Sequence, residues 1–356
     1  MFFFTLYALI GYGLFFSFLG GKNKHLYFMI CATIHLLAFH AFRDPFIFPD
    51  NEGYARHYDN LSYARNWKEV IKYAQRYFSG LEYGYMYLNY FIARISKNHD
   101  PEVFFITTSC IMVLSMMFVV YKTSKFPLVS VLMYFTYPAV FYQSMYVLRQ
   151  HLACCFVILA IYFMDKKKIS IPLALLAVSF HTSAIFILPY YIWRLFFIKK
   201  ISIDKIIGYG IVFVIFMRNG MYMLLRNIER YESYAEGEES SSYLPIILLA
   251  TIFISIFVTG SYAKIKDFHD KEFVIYLSFV ILISVVILGV HGGGRFANYF
   301  MYSLPLVVPV LLKYNTKETL FNYVCLTVVA VVIFYLNYIG YKRGIYFALD
   351  YKFYWQ

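Results

Sequence analysis

Long apolar stretches without charge recur along the chain and constrain its fold more than any other feature. The first, residues 1–19, contains no Asp, Glu, Lys or Arg, and the basic residues Lys22 and Lys24 follow it rather than precede it. A cleaved secretory signal has the opposite order, so we interpret this stretch as a retained membrane span. With 61% hydrophobic and 15% charged residues in a chain of 356, a single soluble core could not bury the apolar surface.

Apolar runs of roughly 17 to 25 residues are long enough to cross a bilayer as helices. The sequence therefore predicts an all-α polytopic membrane protein with about 10–12 transmembrane helices and additional re-entrant or interfacial helices. The predicted spans are residues 2–19, 26–42, 102–121, 126–145, 147–164, 205–226, 243–262, 272–290, 296–312 and 319–338. Residues 83–95 are too short to cross, and residues 169–197 are interrupted by the polar sequence FHTSA at His181.

The basic residues indicate the topology, because short cytoplasmic loops are enriched in Lys and Arg. Half of the 32 Lys and Arg residues share one side if residues 169–197 turn back at His181. This hairpin interpretation places the segment 43–100, with amphipathic interfacial helices, and the acidic loop 227–242 outside the cytoplasm. The net charge of +12 is then a topology signal rather than a nucleic-acid footprint. Without a repeat or linker, residues 1–356 are predicted to form a single integral membrane domain.

Three titratable residues lie at the outer ends of predicted spans: Arg149, His181 and Arg295. Arg149 either snorkels toward headgroups or clamps a phosphate group with its planar fork of donors. Arg295 follows the glycines 292–294, which form either a simple turn or a backbone that presents amides to an anion. His181 is either a packed core residue or, at a helix break in a membrane, a functional one.

Other chemistries are excluded by missing motifs. The HGGG sequence before Arg295 occurs in esterases, but the chain has no GxSxG nucleophile elbow. It also has no P-loop, dinucleotide fingerprint or DxD pair, so no nucleotide cofactor is expected. No ligand cluster predicts a metal. The candidate carboxylates lie in or near the outer segment 43–100 and are Asp44, Asp50, Glu52 and Glu82.

In their order and spacing, these motifs resemble bacterial polysaccharide polymerases of the Wzy and EpsG type. The matching pieces are short and run from about residue 43 to residue 305. They are RDPFIFPDNEGY with Arg43, Asp50 and Tyr54, then Glu82-Tyr83-Gly84-Tyr85, VLRQHLA with Arg149 and Gln150, FHTSA at His181, and GRFANYF with Arg295 and Tyr299. The carboxy-terminal tail contributes nothing to the resemblance.

The resemblance implies a glycosyltransferase C type fold in the bacterial inner membrane, with a cavity on the periplasmic side. Such an enzyme moves a growing glycan from undecaprenyl diphosphate onto the next lipid-linked repeat unit, as in O-antigen, lipopolysaccharide and exopolysaccharide biosynthesis. The expected partners are the undecaprenyl-diphosphate-linked oligosaccharide, the lipid bilayer and a chain-length regulator, with no nucleic acid, cofactor or metal.

The reaction that the resemblance implies suggests a role for each of the matched residues. Cationic donors stabilise the charge that develops on a diphosphate leaving group, and a carboxylate can accept the proton of an acceptor hydroxyl. His181 would either protonate the leaving group or bind the diphosphate through a hydrogen bond. The predicted residues are His181, Glu82 and Asp50 for catalysis, Arg149, Arg295 and Arg43 for diphosphate binding, and Tyr54, Gln150 and Tyr299 for substrate binding.

Alternative functions remain open at this stage. A flippase or transporter for a lipid-linked sugar would also need intramembrane Arg and broken helices, but we would expect an internal repeat. A polysaccharide ligase would use the same diphosphate clamp, so sequence alone separates it poorly from a polymerase. A membrane acyltransferase and a purely structural membrane protein are further alternatives.

Overall fold

The structure is a computed structural model of the whole chain. It describes residues 1–48, 50–77, 82–97, 99–137, 139–197, 261–286, 294–314 and 351–355. Over these residues the protein is helical and contains no strand; an isolated antiparallel bridge joins Arg43 to Phe353. The predicted all-α class is therefore confirmed for the described part of the chain.

Within the described residues, two helices are both long and apolar enough to cross a membrane, Phe2–Leu19 and Pro101–Thr123. Both were predicted as spans. Shorter apolar helical stretches occur at Pro127–Thr136, Leu148–Tyr162 and Thr182–Phe197. Among the described residues, continuous helices of sufficient length therefore account for only some of the spans that the sequence predicts. The predicted spans 205–226 and 319–338 and the acidic loop 227–242 lie outside the described residues, as does the predicted span 243–262 except for its last two residues.

The chain divides into two compact units, of which the first contains Met1–Ala184 and Tyr335–Gln356. Its helices are α1 (Phe2–Leu19), α2 (Lys24–Ala41), α3 (Asn51–Ser62), α4 (Trp67–Tyr77), α5 (Tyr83–Ser96), α6 (Pro101–Thr123), α7 (Pro127–Thr136), α8 (Leu148–Tyr162) and α9 (Lys167–Phe180). The core forms where α6 packs against α2 and α8, and α8 also packs against α9. Side chains such as Met112, Met116 and Leu152 are fully buried there.

Helix α6 shows why the sequence forms a long span. The Asp100 carboxylate accepts a hydrogen bond from the Glu102 amide at 2.9 Å, and Pro101 occupies the first turn, where its missing N–H costs nothing. The helix has 23 residues, and none of those after Pro101 is a proline or a glycine. At about 1.5 Å per residue, the helix is longer than the hydrocarbon core of a bilayer, which is about 30 Å thick.

The predicted span 126–145 is not a continuous helix. Helix α7 ends at Thr136, and Tyr137 adopts an extended conformation with ψ 109°. Tyr137 precedes Pro138, and a residue before proline is disfavoured in the helical region by a clash with the proline ring. Turns and the 3₁₀ helix Gln143–Met145 then lead into α8.

The interruption predicted at His181 is observed. Helix α9 ends at Phe180, His181 is extended with φ −153° and ψ 122°, and a 3₁₀ helix spans Thr182–Ile187. The reversal of chain direction at this point stays a prediction. The segment 43–100 contains α3, α4 and α5; its location at the periplasmic surface likewise stays a prediction.

The second unit contains Ile185–Phe334. Its described helices are α10 (Leu188–Ile192), α11 (Ser261–Lys264), α12 (Phe268–Val286), α13 (Gly294–Met301) and α14 (Leu304–Tyr314). The buried Glu272 carboxylate accepts hydrogen bonds from Tyr190 and from Arg194 Nε, the latter at 2.8 Å. This ion pair ties the chain after α10 to α12. The predicted span 296–312 is split between α13 and α14, and Pro305 stands in the first turn of α14.

Candidate functional site

Arg149 occupies the second position of α8, surrounded by polar and aromatic groups from α3 and α5. Its guanidinium forms an ion pair with the Glu82 carboxylate, donates a hydrogen bond to the Tyr54 hydroxyl and lies 5.9 Å from the centre of the Tyr85 ring. The Glu82 side chain is 2% exposed and that of Arg149 is 27% exposed. A buried carboxylate thus holds the guanidinium in place while part of it still reaches solvent.

Gly84 allows this arrangement because α5 approaches the end of α9 closely. A Cβ atom at Gly84 would lie 2.2 Å from Ser179 Oγ, closer than atoms can pack, and would make a tight contact of 3.1 Å with the Ser179 carbonyl carbon. Glu82 and Tyr85 flank Gly84, and His181 follows Ser179 by two residues. The glycine therefore brings the ends of α5 and α9 together.

His181 is held in a defined tautomer at the end of α9. The Ser183 backbone N–H donates to His181 Nδ1 at 3.2 Å, and the Ser183 hydroxyl lies 2.7 Å from the same nitrogen. Because Nδ1 accepts, a neutral imidazole at this position carries its proton on Nε2. His181 also acts electrostatically on His151, which lies two residues after Arg149 on α8.

His57 is a site residue that sequence analysis did not identify. It lies three residues after Tyr54 on α3, and its Nδ1 is 2.9 Å from the Tyr73 hydroxyl on α4. Burial, followed by the positive charges of Arg149 and Arg56, lowers the pKa of His57 to about 4. Its imidazole is therefore neutral near pH 7. One sequence signal could have identified His57: it stands three residues after Tyr54 in a predicted helix, and residues at that spacing are neighbours on the helix surface.

The remaining predicted residues of the first unit take different positions. Asp50 is exposed at the start of α3, close enough to act electrostatically on Tyr54. Gln150 is fully buried next to Arg149. Arg43 follows α2 and is 1% exposed, with its guanidinium bonded to carbonyl and hydroxyl groups. The structure therefore groups Tyr54, Glu82 and Arg149 directly, with His181 and Asp50 nearby.

The other two predicted residues belong to the second unit. Arg295 is the second residue of α13, and its side chain lies outside the described part of the structure, as do residues 291–293. Tyr299 on the same helix is fully buried, and its carbonyl accepts a hydrogen bond from the Tyr276 hydroxyl at 2.8 Å.

The grouping around Arg149 is suited to an anion. It combines a guanidinium, a tyrosine hydroxyl and the N-terminus of a helix, which carries a partial positive charge. Burial raises the pKa of Tyr54, so its phenol stays neutral. Within the described ranges, no group of three or more His, Cys, Asp or Glu side chains could hold a metal ion.

Comparison with known proteins adds one positive finding. Neither the curated proteins nor the solved structures include a match to this chain. The sequence pattern of the EpsG family matches residues 26–353, which spans nearly the whole chain and contains most of α2, α3 through α14 and each predicted site residue. The chain therefore belongs to the EpsG family.

Proposed function

We propose that this protein is a membrane polysaccharide polymerase that extends a glycan on a lipid diphosphate carrier. Family membership supports polysaccharide polymerisation, and the observation that carries the proposal is the Arg149 guanidinium, held by Glu82 and Tyr54 and partly exposed at the start of α8. The carrier would be undecaprenyl diphosphate, met at the periplasmic face of the inner membrane, and the fold would be of the glycosyltransferase C type.

The reaction needs no co-reactant beyond its two lipid-linked substrates. The acceptor sugar hydroxyl oxygen forms a bond to the anomeric carbon of the growing glycan. The bond between that carbon and the diphosphate oxygen breaks, and its electron pair stays on the diphosphate. The hydroxyl proton leaves to a base, and the negative charge that develops on the leaving group is the charge a cationic site must stabilise.

Each grouped residue can take one part of this reaction. Arg149 would bind the diphosphate oxygens, and Glu82 would orient Arg149 through their ion pair. His181 would donate its Nε2 proton to the leaving diphosphate. Asp50, which is exposed, would accept the hydrogen bond of the acceptor hydroxyl, with Glu82 as the alternative base. A sugar contact would come from Tyr54, whose hydroxyl bonds to Arg149 within the first unit.

The Arg149→Lys variant tests the proposal directly. A lysine ammonium keeps the charge but cannot maintain the bonds to Glu82 and Tyr54 and also offer a planar fork to the diphosphate. Losing one hydrogen bond to a charged group costs about 1.5–3 kcal/mol, so we expect chain extension to fall at least about tenfold. The measurement is a gel of surface polysaccharide from cells lacking the gene and complemented with wild type or variant.

The matched control is Arg65→Lys, which makes the same change in an exposed side chain of the segment between α3 and α4. All variants must reach the membrane in equal amounts. Single repeat units in the deletion strain and in Arg149→Lys, with long polymer in the control, support a polymerase. Polymer that accumulates on its carrier would indicate a ligase, and normal polymer in Arg149→Lys would remove Arg149 from the site.

A further inference from the structure

Arg43 is buried in a network of neutral acceptors. Its Nη2 donates to the Met145 carbonyl at 2.8 Å, and its Nη1 donates to Ser109 Oγ at 3.2 Å and to the His40 carbonyl. The side chain is 1% exposed, and among the described residues no carboxylate pairs with it. A guanidinium in this setting has already exchanged its water for protein acceptors, and it presents almost no surface to a ligand.

The Met145 carbonyl receives a second hydrogen bond from another element. Asn51 Nδ2, at the start of α3, donates to Met145 O at 3.0 Å and to Pro45 O at 2.9 Å. Asn51 is fully buried. Two buried donors, one after α2 and one on α3, therefore converge on one carbonyl.

That carbonyl ends the 3₁₀ helix Gln143–Met145, which lies just before Arg149. Helix α8 begins at Leu148, three residues after Met145. The turn is also held at Ser144, whose Oγ lies 2.8 Å from His40 Nε2. Because α8 starts three residues after Met145, contacts that fix this turn also restrain the backbone of the first turn of α8, which carries Arg149.

We propose that Arg43 is a positioning residue that acts through Met145 on Arg149, and that Asn51 shares this role. The inference rests on the proposed function, since it assumes that Arg149 binds a diphosphate. It assigns Arg43 a role other than the diphosphate ligand that the sequence predicts. The buried position of Arg43 and the shared carbonyl are the observations that carry it.

A double-mutant cycle distinguishes positioning from direct binding. The full chain is placed in lipid nanodiscs, and its affinity for inorganic pyrophosphate is measured by calorimetry. The proteins compared are the wild type, the single variants Arg43→Gln, Asn51→Ala and Arg149→Lys, and two double variants that combine Arg149→Lys with Arg43→Gln or with Asn51→Ala. If Arg43 acts through Arg149, its substitution lowers affinity by about three- to tenfold in the wild-type background and has little further effect beside Arg149→Lys. Asn51→Ala, which removes no charge, should behave in the same way.

Arg65→Gln is the control for loss of an exposed positive charge and should keep wild-type affinity. Each variant is checked for a single species by size-exclusion chromatography. If Arg43→Gln fails to fold, the Asn51→Ala pair still decides the question. Effects of Arg43→Gln that add fully to those of Arg149→Lys, or an Asn51→Ala variant with unchanged affinity, would overturn positioning and leave the proposed function intact. Wild-type protein that does not bind pyrophosphate would overturn both.

Discussion

At the scale of single residues, the charge of the His57 side chain is set by its surroundings. Burial and the neighbouring guanidiniums of Arg149 and Arg56 favour the neutral imidazole, with a pKa of about 4 against an ordinary value of 6.5. The Tyr73 hydroxyl, 2.9 Å from Nδ1, holds the ring at the α3–α4 contact. His57 therefore adds no positive charge of its own near Arg149 at neutral pH.

This shift makes stability depend on pH in a defined window. In the unfolded chain His57 takes up a proton near pH 6.5, but in the folded protein it does so only near pH 4. Between these values the unfolded state binds more protons, so this residue lowers the free energy of unfolding as the pH falls, and the effect levels off below about pH 4. In His57→Gln the free energy of unfolding should fall less across this window.

The measurement is the thermal unfolding midpoint in detergent micelles at several pH values from about 7 to 4. His25→Gln, a change in an exposed histidine of α2, serves as the control and should retain the wild-type profile. A His57→Gln variant whose midpoint falls as steeply as that of the wild type would show that His57 is not the group responsible.

Sequence analysis identified several members of the site but not all of them. Tyr54, Glu82 and Arg149 come from separate motifs and were predicted for substrate binding, catalysis and diphosphate binding, respectively, but the ion pair between Glu82 and Arg149 was not predicted. The pairing of His57 with Tyr73 depends on how α3 packs beside α4, and no spacing along the chain reveals that geometry. The burial of Arg43 was unpredictable for the same reason, since its acceptors come from α2, α6 and the turn before α8.

At the scale of elements, the contact between α5 and α9 depends on the absence of a side chain at Gly84. In Gly84→Ala the new methyl group would overlap Ser179 Oγ and press on the Ser179 carbonyl carbon at 3.1 Å, so the Ser179 side chain must move and the two helices must shift slightly apart. Overpacking of this kind costs about 1–3 kcal/mol. We expect lower stability and shorter surface polysaccharide, because Glu82 and Tyr85 move with α5.

Gly53→Ala on α3 is the matched control. A Cβ atom at Gly53 would meet nothing within 4 Å, and alanine is favoured over glycine inside a helix by about 0.5–1 kcal/mol. This variant should be as stable as wild type or more so. Unfolding midpoints and polysaccharide gels compare the two variants, and a Gly84→Ala protein that matches Gly53→Ala in both would refute the close-packing argument.

Helix boundaries were predictable where a local signal marks them. The span α6 begins at the Asp100-Pro101 cap, and the polar sequence at His181 marks the end of α9. The division of 126–145 was missed because the stretch contains no charged residue, and hydropathy alone gives little weight to the proline at 138. The conformational restriction before Pro138 outweighed the hydrophobic pattern there.

At the scale of the whole molecule, residues near the carboxy terminus return to the end of α2. Asp44 N–H donates to the Lys352 carbonyl at 2.8 Å, and Tyr354 N–H donates to the Phe42 carbonyl at 3.1 Å. These bonds flank Arg43, which forms the bridge with Phe353. An isolated bridge between such distant positions leaves no periodic pattern, so sequence analysis could not assign a role to the tail.

The Tyr351 side chain adds the strongest test of this long-range contact. Its hydroxyl donates to the Phe39 carbonyl at 2.8 Å, and its ring stacks on that of Phe39 with centroids 4.6 Å apart. Tyr351→Phe should lose about 0.5–1.5 kcal/mol of unfolding free energy with the hydrogen bond. Tyr351→Ala should lose about 0.5–1.5 kcal/mol more with the aromatic pair, and a further amount with the apolar area that the half-buried ring covers.

Both variants should also shorten the surface polysaccharide in the same order, because the tail holds the backbone on either side of Arg43 and Arg43 in turn positions the turn before α8. Lys352→Ala is the control, since Lys352 is exposed and contacts Asp44 only through its backbone carbonyl. Denaturant unfolding and the polysaccharide gel provide the two readouts. Stability that falls in Tyr351→Ala while polymer length stays normal would separate the tail from the site and confine its role to folding.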